Sequence, residues 1–205
     1  KRSAAEREVN MNKAITVIKT TLILFLITSA AALLLAFVND KTAPLIAANA
    51  AAKQQAALKT VMPSAVKFEE TQAEEEITAA AAENGCEINS IYIAKDESGS
   101  NCGICTVITG SGYDSGLQLA VGVDKDLKVT AIEIISSNET PGLGQKASND
   151  DFKKQFEGKN GSVSVVKSGA SDSQINAISG ATLTSNGVAK IVNTALKAAG
   201  IKEGK

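Results

Sequence analysis

The stretch LQLAVGVDKDLKVTAIEII, residues 117–135, has the pattern of two strands joined by a tight turn. From Leu117 to Val123, large apolar residues alternate with smaller or polar ones, which is the period of a strand with one buried face. Asp124-Lys125-Asp126 is typical of a hairpin turn, and a second β-like run follows from Val129 to Ile135. Strands joined by so short a turn run in opposite directions, so the pattern predicts an antiparallel sheet.

The sheet is expected to extend toward the N-terminus and to be covered by helices. Short β-like runs at Ile88 to Ala94 and Ile104 to Thr109 supply two more strands, and another run lies near Ser162 to Val166. Ser148, with Asp151 three places later, resembles a capping box and predicts a short helix that buries two phenylalanines. The expected fold class is therefore α+β, with an antiparallel sheet flanked by helices.

A turn of small and hydroxylated residues, Ser179-Gly180-Ala181-Thr182-Leu183-Thr184-Ser185, leads into the last predicted helix. Apolar residues at helical spacing follow it: Val188, Ile191, Val192, Ala195 and Leu196. Thr182 would then stand just ahead of a helix N-terminus, where unpaired N–H groups and the helix dipole favour a phosphate. An ordinary cap explains the same residues, with Thr184 or Ser185 as N-cap and Gly200 as the C-terminal stop. On pattern alone, the ordinary cap is the stronger interpretation.

A long uncharged segment lies near the N-terminus. No residue from Thr20 to Val38 is charged, and as a helix this segment would be about 28 Å long, close to the hydrocarbon thickness of a bilayer. We expect residues 20–38 to span a membrane. Lys and Arg are more frequent before this segment than just after it, which puts residues 1–19 in the cytoplasm and the C-terminal domain outside. The alternative is a cleaved signal peptide, but the apolar run is longer than a usual signal h-region and no Ala-x-Ala site follows at a suitable distance.

The residues between the span and the sheet are expected to form a stalk. Thr42 can cap a helix that has a proline in its first turn, and Pro63 would end this helix. The acidic run from Glu69 to Glu76 is interpreted as a solvated helix or linker. This organisation predicts a stalk and linker at residues 39–86 and an extracytoplasmic domain at residues 87–205.

Composition excludes some classes of function. The chain has 205 residues and no histidine, which excludes histidine-based catalysis. Its net charge of -1 argues against nucleic-acid binding. Cys102 and Cys105 have the spacing of a redox motif, but they begin a predicted strand rather than a helix, so no helix dipole activates them. Structural cysteines, or a disulfide within this pair or with Cys86, are favoured over electron transfer. A metal site shared with another protein of a complex is a further alternative.

Two motifs of this chain resemble those of one protein family. Ser179 to Thr182 is similar to the flavinylation motif Ser/Thr-Gly-Ala-Thr of the FMN-binding domain family, and Glu139-Thr140-Pro141-Gly142-Leu143-Gly144 matches a second signature. Together they identify the chain as a member of the RnfG family, the G subunits of Rnf electron-transport complexes, which are related to the NqrC proteins of the sodium-pumping NADH:quinone reductase. The chain departs from that family at Asn176, where Asp is usual, at Ala177, where Gly is common, and at Ser137, where many relatives have His.

The resemblance implies a covalent FMN site. The FMN phosphate would be esterified to Thr182 by a flavin transferase, which would meet Asn176 in place of the usual carboxylate. The other residues expected to bind the cofactor come from both motifs: Ser179, Gly180, Ala181, Leu183, Thr184, Glu139, Thr140, Gly142, Leu143 and Gly144. In the second motif, Pro141 fixes one backbone angle and the glycines permit close approach of the main chain to a flat ligand. Gln145 and Lys146 are weaker candidates for contacts with the flavin, and no metal site is expected.

The resemblance also implies a function. The chain would be a membrane-anchored, covalently flavinylated electron-transfer component of an Rnf complex, which couples electron flow between reduced ferredoxin and NAD to the pumping of sodium ions or protons. It would exchange electrons with cofactors of neighbouring integral membrane subunits and would hold no complete active site alone. One alternative is a stand-alone flavoprotein reductase for extracellular electron transfer. Another is a pilin-like structural protein, which would be expected to carry a glutamate in its apolar helix, and residues 20–38 have none.

Overall fold

The computed structural model describes residues 4–204, so the start of the predicted cytoplasmic segment, residues 1–3, lies outside the described residues. The helices are α1 (Ala4–Val61), α2 (Glu75–Glu83), α3 (Asp150–Lys153) and α4 (Thr182–Lys202). The strands are β1 (Lys67–Thr71), β2 (Glu87–Lys95), β3 (Asn101–Ser111), β4 (Ser115–Asp124), β5 (Val129–Ser136), β6 (Ser164–Val166) and β7 (Gln174–Asn176). Short 3-10 turns at Gly144–Ser148 and Lys154–Phe156 flank α3.

Strands β1 to β5 form one antiparallel sheet in sequence order, each strand pairing with the next. The four predicted β-like runs are confirmed as β2 to β5. The turn between β4 and β5 is also confirmed, because Asp124 Oδ1 accepts hydrogen bonds from the N–H groups of Asp126 and Lys128, both at 2.9 Å. The predicted strand near residues 162–166 is β6, which pairs in parallel with β7, a strand that the sequence pattern did not predict.

The interpretation of the acidic run as a solvated helix or linker is correct only for its second half. Glu74 to Glu76 are exposed at the start of α2, whereas Glu69 and Glu70 lie in an edge strand. Glu69 lies in β1, where its carboxylate pairs with Lys67 at 2.8 Å and with Lys95 at 2.6 Å. The hydrogen bonds from Lys67 and Lys95 lower the pKa of the Glu69 carboxyl to about 2. Ile77 of α2 is fully buried in the same core cluster as residues of α4. Paired charges suit an edge strand, since they discourage pairing with another chain.

Helices cover both faces of the sheet. Helix α4 packs on one face, in a cluster that includes Ile104 and Ile108 of β3. The last turns of α1 pack on the other face, where Leu58 shares a buried cluster with Cys105 and Val107 of β3. Alternate residues of β3 therefore belong to opposite layers, as the period of a strand requires. The sheet is the middle of three layers.

The predicted span, residues 20–38, lies within α1, which is unbroken from Ala4 to Val61. The prediction of a separate stalk helix capped by Thr42 is wrong, because the Thr42 hydroxyl donates a hydrogen bond to Val38 O at 2.9 Å, one turn back in the same helix. Pro44 lies inside this helix, which ends before Pro63 as predicted. Within Met11–Val61, an exposed apolar window with a mean hydropathy of 2.6 makes α1 a candidate membrane span by length and composition.

The chain divides into two units, Lys1–Ala51 and Ala52–Lys205. The described part of the first lies in α1, and its large apolar side chains from Met11 to Ile46 are exposed. The second contains the sheet and begins inside the segment that was expected to be stalk and linker. Its residues before position 87 supply the end of α1, strand β1 and helix α2.

Two predicted helix ends are shifted in the structure. Ser148 is the last residue of a 3-10 turn and does not cap α3; Asn149 precedes α3, without a side-chain cap bond. Phe152 and Phe156 are buried as predicted, with their ring centroids 5.5 Å apart in an edge-on contact. At the other end of the domain, Gly200 is not a stop, because α4 continues to Lys202.

The three cysteines are free thiols. Cys86 belongs to the core layer that contains α4, whereas Cys105 belongs to the layer that contains the end of α1, so the sheet separates them and a disulfide between them is excluded. Burial raises the pKa of the Cys105 thiol to about 12 and also raises that of Cys86. Both thiols therefore stay protonated at neutral pH, which is the inert form.

Candidate functional site

A cavity of about 520 Å³ brings three segments of the chain together. These segments are the hairpin tip between β3 and β4, the loop that follows β5, and the beginning of α4. The lining residues are Tyr113, Glu139, Thr140, Leu143, Gly144, Gly180, Ala181, Thr182, Leu183 and Thr184. Nine of these ten were predicted from the two motifs, so motifs that are distant in the sequence meet at one cavity. Ser179 and Gly142 were also predicted, and they lie outside the cavity wall.

Thr182 is the first residue of α4, and its side chain is exposed at the cavity wall. Within residues 4–204, its hydroxyl has no hydrogen-bond partner. The N-cap residue is Ala181, whose side chain offers no capping oxygen. The first N–H groups of α4 therefore lack intrahelical acceptors and lie at the positive end of the helix dipole. An anion held at Thr182 would be stabilised by these free N–H groups and by the helix dipole.

The prediction that Thr184 or Ser185 caps the helix is wrong, because both side chains lie inside the first turn and are buried. The Thr184 hydroxyl donates a hydrogen bond to Glu139 Oε2 at 2.7 Å. The Ser185 hydroxyl donates to Ala181 O at 3.0 Å and accepts the N–H of Ile178 at 2.9 Å. Of the three hydroxyls in the first turn of α4, namely those of Thr182, Thr184 and Ser185, only that of Thr182 is both exposed and unbonded in the described structure.

The structure requires glycine in the two motifs for different local reasons. Gly180 and Gly142 both have a φ of +78°, a conformation that other residues rarely adopt. Gly144 instead sits where a Cβ would overlap the Glu139 carboxylate and approach Thr184 Oγ1 to 2.6 Å. The predicted close approach of main chain at Gly144 is therefore present, but the approaching group is a protein side chain.

Apolar side chains flank the cavity mouth. In the part of unit Ala52–Lys205 that the structure describes, four large apolar side chains are exposed, namely Val66, Tyr113, Leu143 and Leu183, and the last three line the cavity. Tyr113, at the tip of the β3–β4 hairpin, is 74% exposed. Sequence reasoning missed it, although an aromatic residue in a polar turn, where it cannot join the core, was a usable signal.

Glu139 is buried, with 4% of its surface exposed. Its Oε1 accepts hydrogen bonds from the N–H groups of Tyr113 at 2.9 Å and Asp114 at 3.2 Å. Its Oε2 accepts the hydrogen bond of the Thr184 hydroxyl. Although Glu139 was predicted to bind a cofactor, the structure places both of its carboxylate oxygens on protein donors.

A second, smaller hollow of about 230 Å³ adjoins the residues that precede the Ser179–Thr182 turn. Lys146 and Asn176 line it, and Gln145 lines neither cavity. Asn176 Oδ1 accepts the N–H of Ala170 at 3.1 Å, and the Asn176 N–H donates to Gln155 Oε1 at 2.7 Å. The amide at this position therefore has a structural role, holding the segment between β6 and β7.

Comparison with known families gives two matches. The FMN-binding domain family matches residues 112–197, and the RnfG N-terminal region matches residues 11–61. The first match begins at the hairpin tip beside Tyr113 and includes every residue of the cavity wall. The second covers the candidate membrane span and the end of α1.

Similar whole proteins agree with these family matches. The chain is 38% identical over 193 residues to the G subunit of the Na(+)-translocating ferredoxin:NAD(+) oxidoreductase complex of Acetobacterium woodii, covering 88% of this chain and 90% of that protein. It is 29% identical over 195 residues to the G subunit of the ion-translocating oxidoreductase complex of Methanosarcina acetivorans, covering 94% and 98%. The crystal structure of Shewanella oneidensis NqrC shares the fold, with a TM-score of 0.50 and 20% identity over 70% of each chain.

Proposed function

Because the chain belongs to the RnfG family, the G subunits of ion-translocating oxidoreductase complexes, we propose that it is the membrane-anchored component that carries electrons on FMN bound covalently to Thr182. The bound flavin supplies the redox chemistry, and the protein supplies attachment, orientation and environment. The matched FMN-binding domain and the cavity in it support this assignment. Family membership over most of the chain also favours a component of a complex over a pilin-like structural protein.

The single observation that carries the proposal is the state of the Thr182 hydroxyl. It is exposed at the wall of a cavity, has no partner among the described residues, and stands at a helix N-terminus that favours a phosphate. In the proposed attachment, Thr182 Oγ1 forms a bond to the phosphorus next to riboflavin in a flavin dinucleotide. The pyrophosphate P–O bond breaks, and the nucleoside monophosphate leaves with the hydroxyl proton. The protein then gains the mass of FMN less one water. A flavin transferase would catalyse this step, since no described residue forms a hydrogen bond with the Thr182 hydroxyl that could activate it.

The apolar side chains at the cavity mouth fit a planar aromatic ring. Tyr113, Leu143 and Leu183 come from three different segments and leave their apolar surface uncovered around the same cavity. Isolated apolar side chains are common on protein surfaces, but three around one cavity mark a binding site. We assign them to the isoalloxazine ring, with Thr140 and Gly144 completing the wall.

The proposed place of this protein in the cell rests on α1. Residues 20–38 would cross the membrane, with residues 1–19 in the cytoplasm and the flavin domain within 87–205 outside. Attachment by a covalent bond suits a cofactor outside the cell, because a tethered flavin stays near its electron partners at high effective concentration.

The partners are the other subunits of the complex. Relatives of this chain are named as subunits of sodium- or ion-translocating oxidoreductases, so we propose that this flavin exchanges electrons with cofactors of neighbouring integral subunits. The ferredoxin and NAD sites and the ion path would lie in those other subunits. The chain would then hold no complete active site, and the translocase activity would belong to the assembled complex.

The site is tested by mass spectrometry of the full chain produced together with its flavin transferase. We expect the extra mass to map to the tryptic peptide 168–190, and to be lost in Thr182→Val, which keeps the shape but removes the oxygen. Ser168→Ala is the matched control, because Ser168 is an exposed hydroxyl of the same tryptic peptide that belongs to neither motif and lies outside the cavity wall. Flavin retained in Thr182→Val, or lost in Ser168→Ala alone, would contradict the assignment.

A further inference from the structure

A buried carboxylate connects the three segments that form the cavity. Glu139 follows β5, the N–H groups of Tyr113 and Asp114 belong to the β3–β4 hairpin tip, and Thr184 belongs to the first turn of α4. We call these four residues the Glu139 junction. Each of the three segments also carries one exposed apolar residue of the cavity mouth, so the junction joins the backbones that present those residues.

Glycines from all three segments pack closely around the Glu139 junction. A Cβ at Gly112 would overlap Glu139 Oε1, and a Cβ at Gly144 would overlap Glu139 Oε2. A Cβ at Gly187 would overlap Ser111 O and come within 2.8 Å of Gly112 Cα. Gly112 and Gly187 lie in the hairpin tip and α4, and Gly144 lies in the loop, so each segment contributes one close approach. Such contacts leave little room beside the carboxylate on the sides that these glycines occupy, so its remaining exposed surface is the small part that lines the cavity.

Helix geometry connects the junction to Thr182. Successive residues of a helix are rotated by about 100°, so residues two apart point to nearly opposite sides. Holding the Thr184 hydroxyl against Glu139, inside the protein, therefore turns the Thr182 hydroxyl outward. In the structure Thr184 is buried and Thr182 is exposed, as this rotation requires.

We propose that Glu139 is a positioning residue, which assembles the three walls of the cavity and turns Thr182 outward before any flavin is attached, and that it is not itself a flavin ligand. Hydrogen bonds to a charged group are among the stronger ones in proteins, and a buried acceptor that loses its donors is costly. Both carboxylate oxygens are already satisfied by the junction. The part of this proposal that concerns the flavin rests on the proposed function, whereas the assembly of the cavity does not.

The assembly is tested on the flavin-free full chain, produced without the transferase and purified in detergent. Amide hydrogen exchange is measured by mass spectrometry on peptides that contain residues 113 and 114, whose N–H groups donate to Glu139. In Glu139→Ala we expect exchange there to become roughly 10- to 100-fold faster. Glu139→Gln, which keeps one carbonyl oxygen, should show a smaller increase. Glu157→Gln is the control, since Glu157 is exposed on the surface outside the cavity wall.

The consequence for the flavin is tested on the same variants made with the transferase. We expect Glu139→Ala to lower the rate of attachment and the fluorescence anisotropy of the attached flavin, and to shift its midpoint potential. Thr184→Val, which removes the donor, should reproduce these changes, while Thr184→Ser, which keeps the hydroxyl, should restore them.

Two results would overturn the proposal. One is unchanged exchange at residues 113 and 114 in Glu139→Gln and Glu139→Ala while both remain folded. The other is a flavin with wild-type anisotropy and potential in Glu139→Ala. If the wild-type chain carries no flavin even beside an active transferase, the proposed function fails, and the exchange experiment still decides whether Glu139 assembles the cavity.

Discussion

Two glycines of one loop should respond very differently to the same substitution. Gly142→Ala places a methyl group in open space, and its cost comes only from the φ of +78°, about 1 kcal/mol. Gly144→Ala places the methyl group on the Glu139 carboxylate and against Thr184 Oγ1, so the junction must open. Overpacking of this kind costs about 1 to 3 kcal/mol, and a weakened hydrogen bond to a charged group adds roughly as much again. We expect a total near 3 kcal/mol.

Thermal unfolding of the full chain in detergent measures this difference. The chain has no tryptophan, so the fluorescence of Tyr92 and Tyr113 reports on the folded domain. At about 2 to 4 °C per kcal/mol for a domain of this size, Gly144→Ala should lower Tm by roughly 6 to 12 °C and Gly142→Ala by roughly 2 to 4 °C. In flavin-loaded protein, only Gly144→Ala should reduce the anisotropy of the flavin. Equal losses in the two variants, or a larger loss in Gly142→Ala, would refute the packing argument.

Three further predictions concern the core, the thiols and the membrane. Thr106 is fully buried and its hydroxyl has no hydrogen-bond partner in the described structure, so Thr106→Val should raise stability in urea by about 1 kcal/mol, and a loss would reveal a partner. Because the pKa of Cys105 is raised to about 12, the folded state holds this proton longer than the unfolded state. Stability should therefore fall by up to about 1.4 kcal/mol per pH unit above roughly pH 9, a slope that Cys105→Ala should lack if the thiol causes it. Protease added to intact spheroplasts should cut residues after Lys41 and spare an N-terminal tag; a protected C-terminal domain would reverse the assigned orientation.

Most of the sheet could be predicted because the buried faces of its strands produce a regular pattern of apolar residues in the sequence. Strands β2 to β5 have one or both faces in the core, so apolar residues recur with the period of the pleat. Strand β1 was not predicted because it lies at the edge of the sheet. There Glu69 forms ion pairs with Lys67 and Lys95, so the strand lacks the apolar pattern of a buried face. The continuity of α1 through Thr42 was not predicted, for another reason. Thr42 and Pro44 are typical of a helix start, but a proline removes only one hydrogen bond, and a long helix can tolerate that loss.

The residues of the cavity were found through their motifs, but their connections were not. From the sequence alone, Glu139 has the pattern of a solvent-facing carboxylate in a loop. Its hydrogen-bond donors are the N–H groups of residues 113 and 114 and the hydroxyl of residue 184. Contacts between residues so far apart leave no local pattern in a single sequence. Tyr113 was missed for a related reason, since one aromatic residue in a turn has no periodicity, and only the fold shows that it faces the same cavity as Leu143.

The choice among three hydroxyls at the start of α4 shows what the structure adds to a motif. The sequence offered Thr182 as a phosphoester site, and it offered Thr184 or Ser185 as an ordinary helix cap. Burial separates them, because Thr184 and Ser185 are 1% and 0% exposed and each is hydrogen-bonded within the protein. An esterified oxygen must be reached by an enzyme and must then hold a phosphate outside the core, which neither buried hydroxyl allows. Among these three hydroxyls, burial and hydrogen bonding therefore leave Thr182 as the exposed one, which supports the proposed attachment without use of the family resemblance.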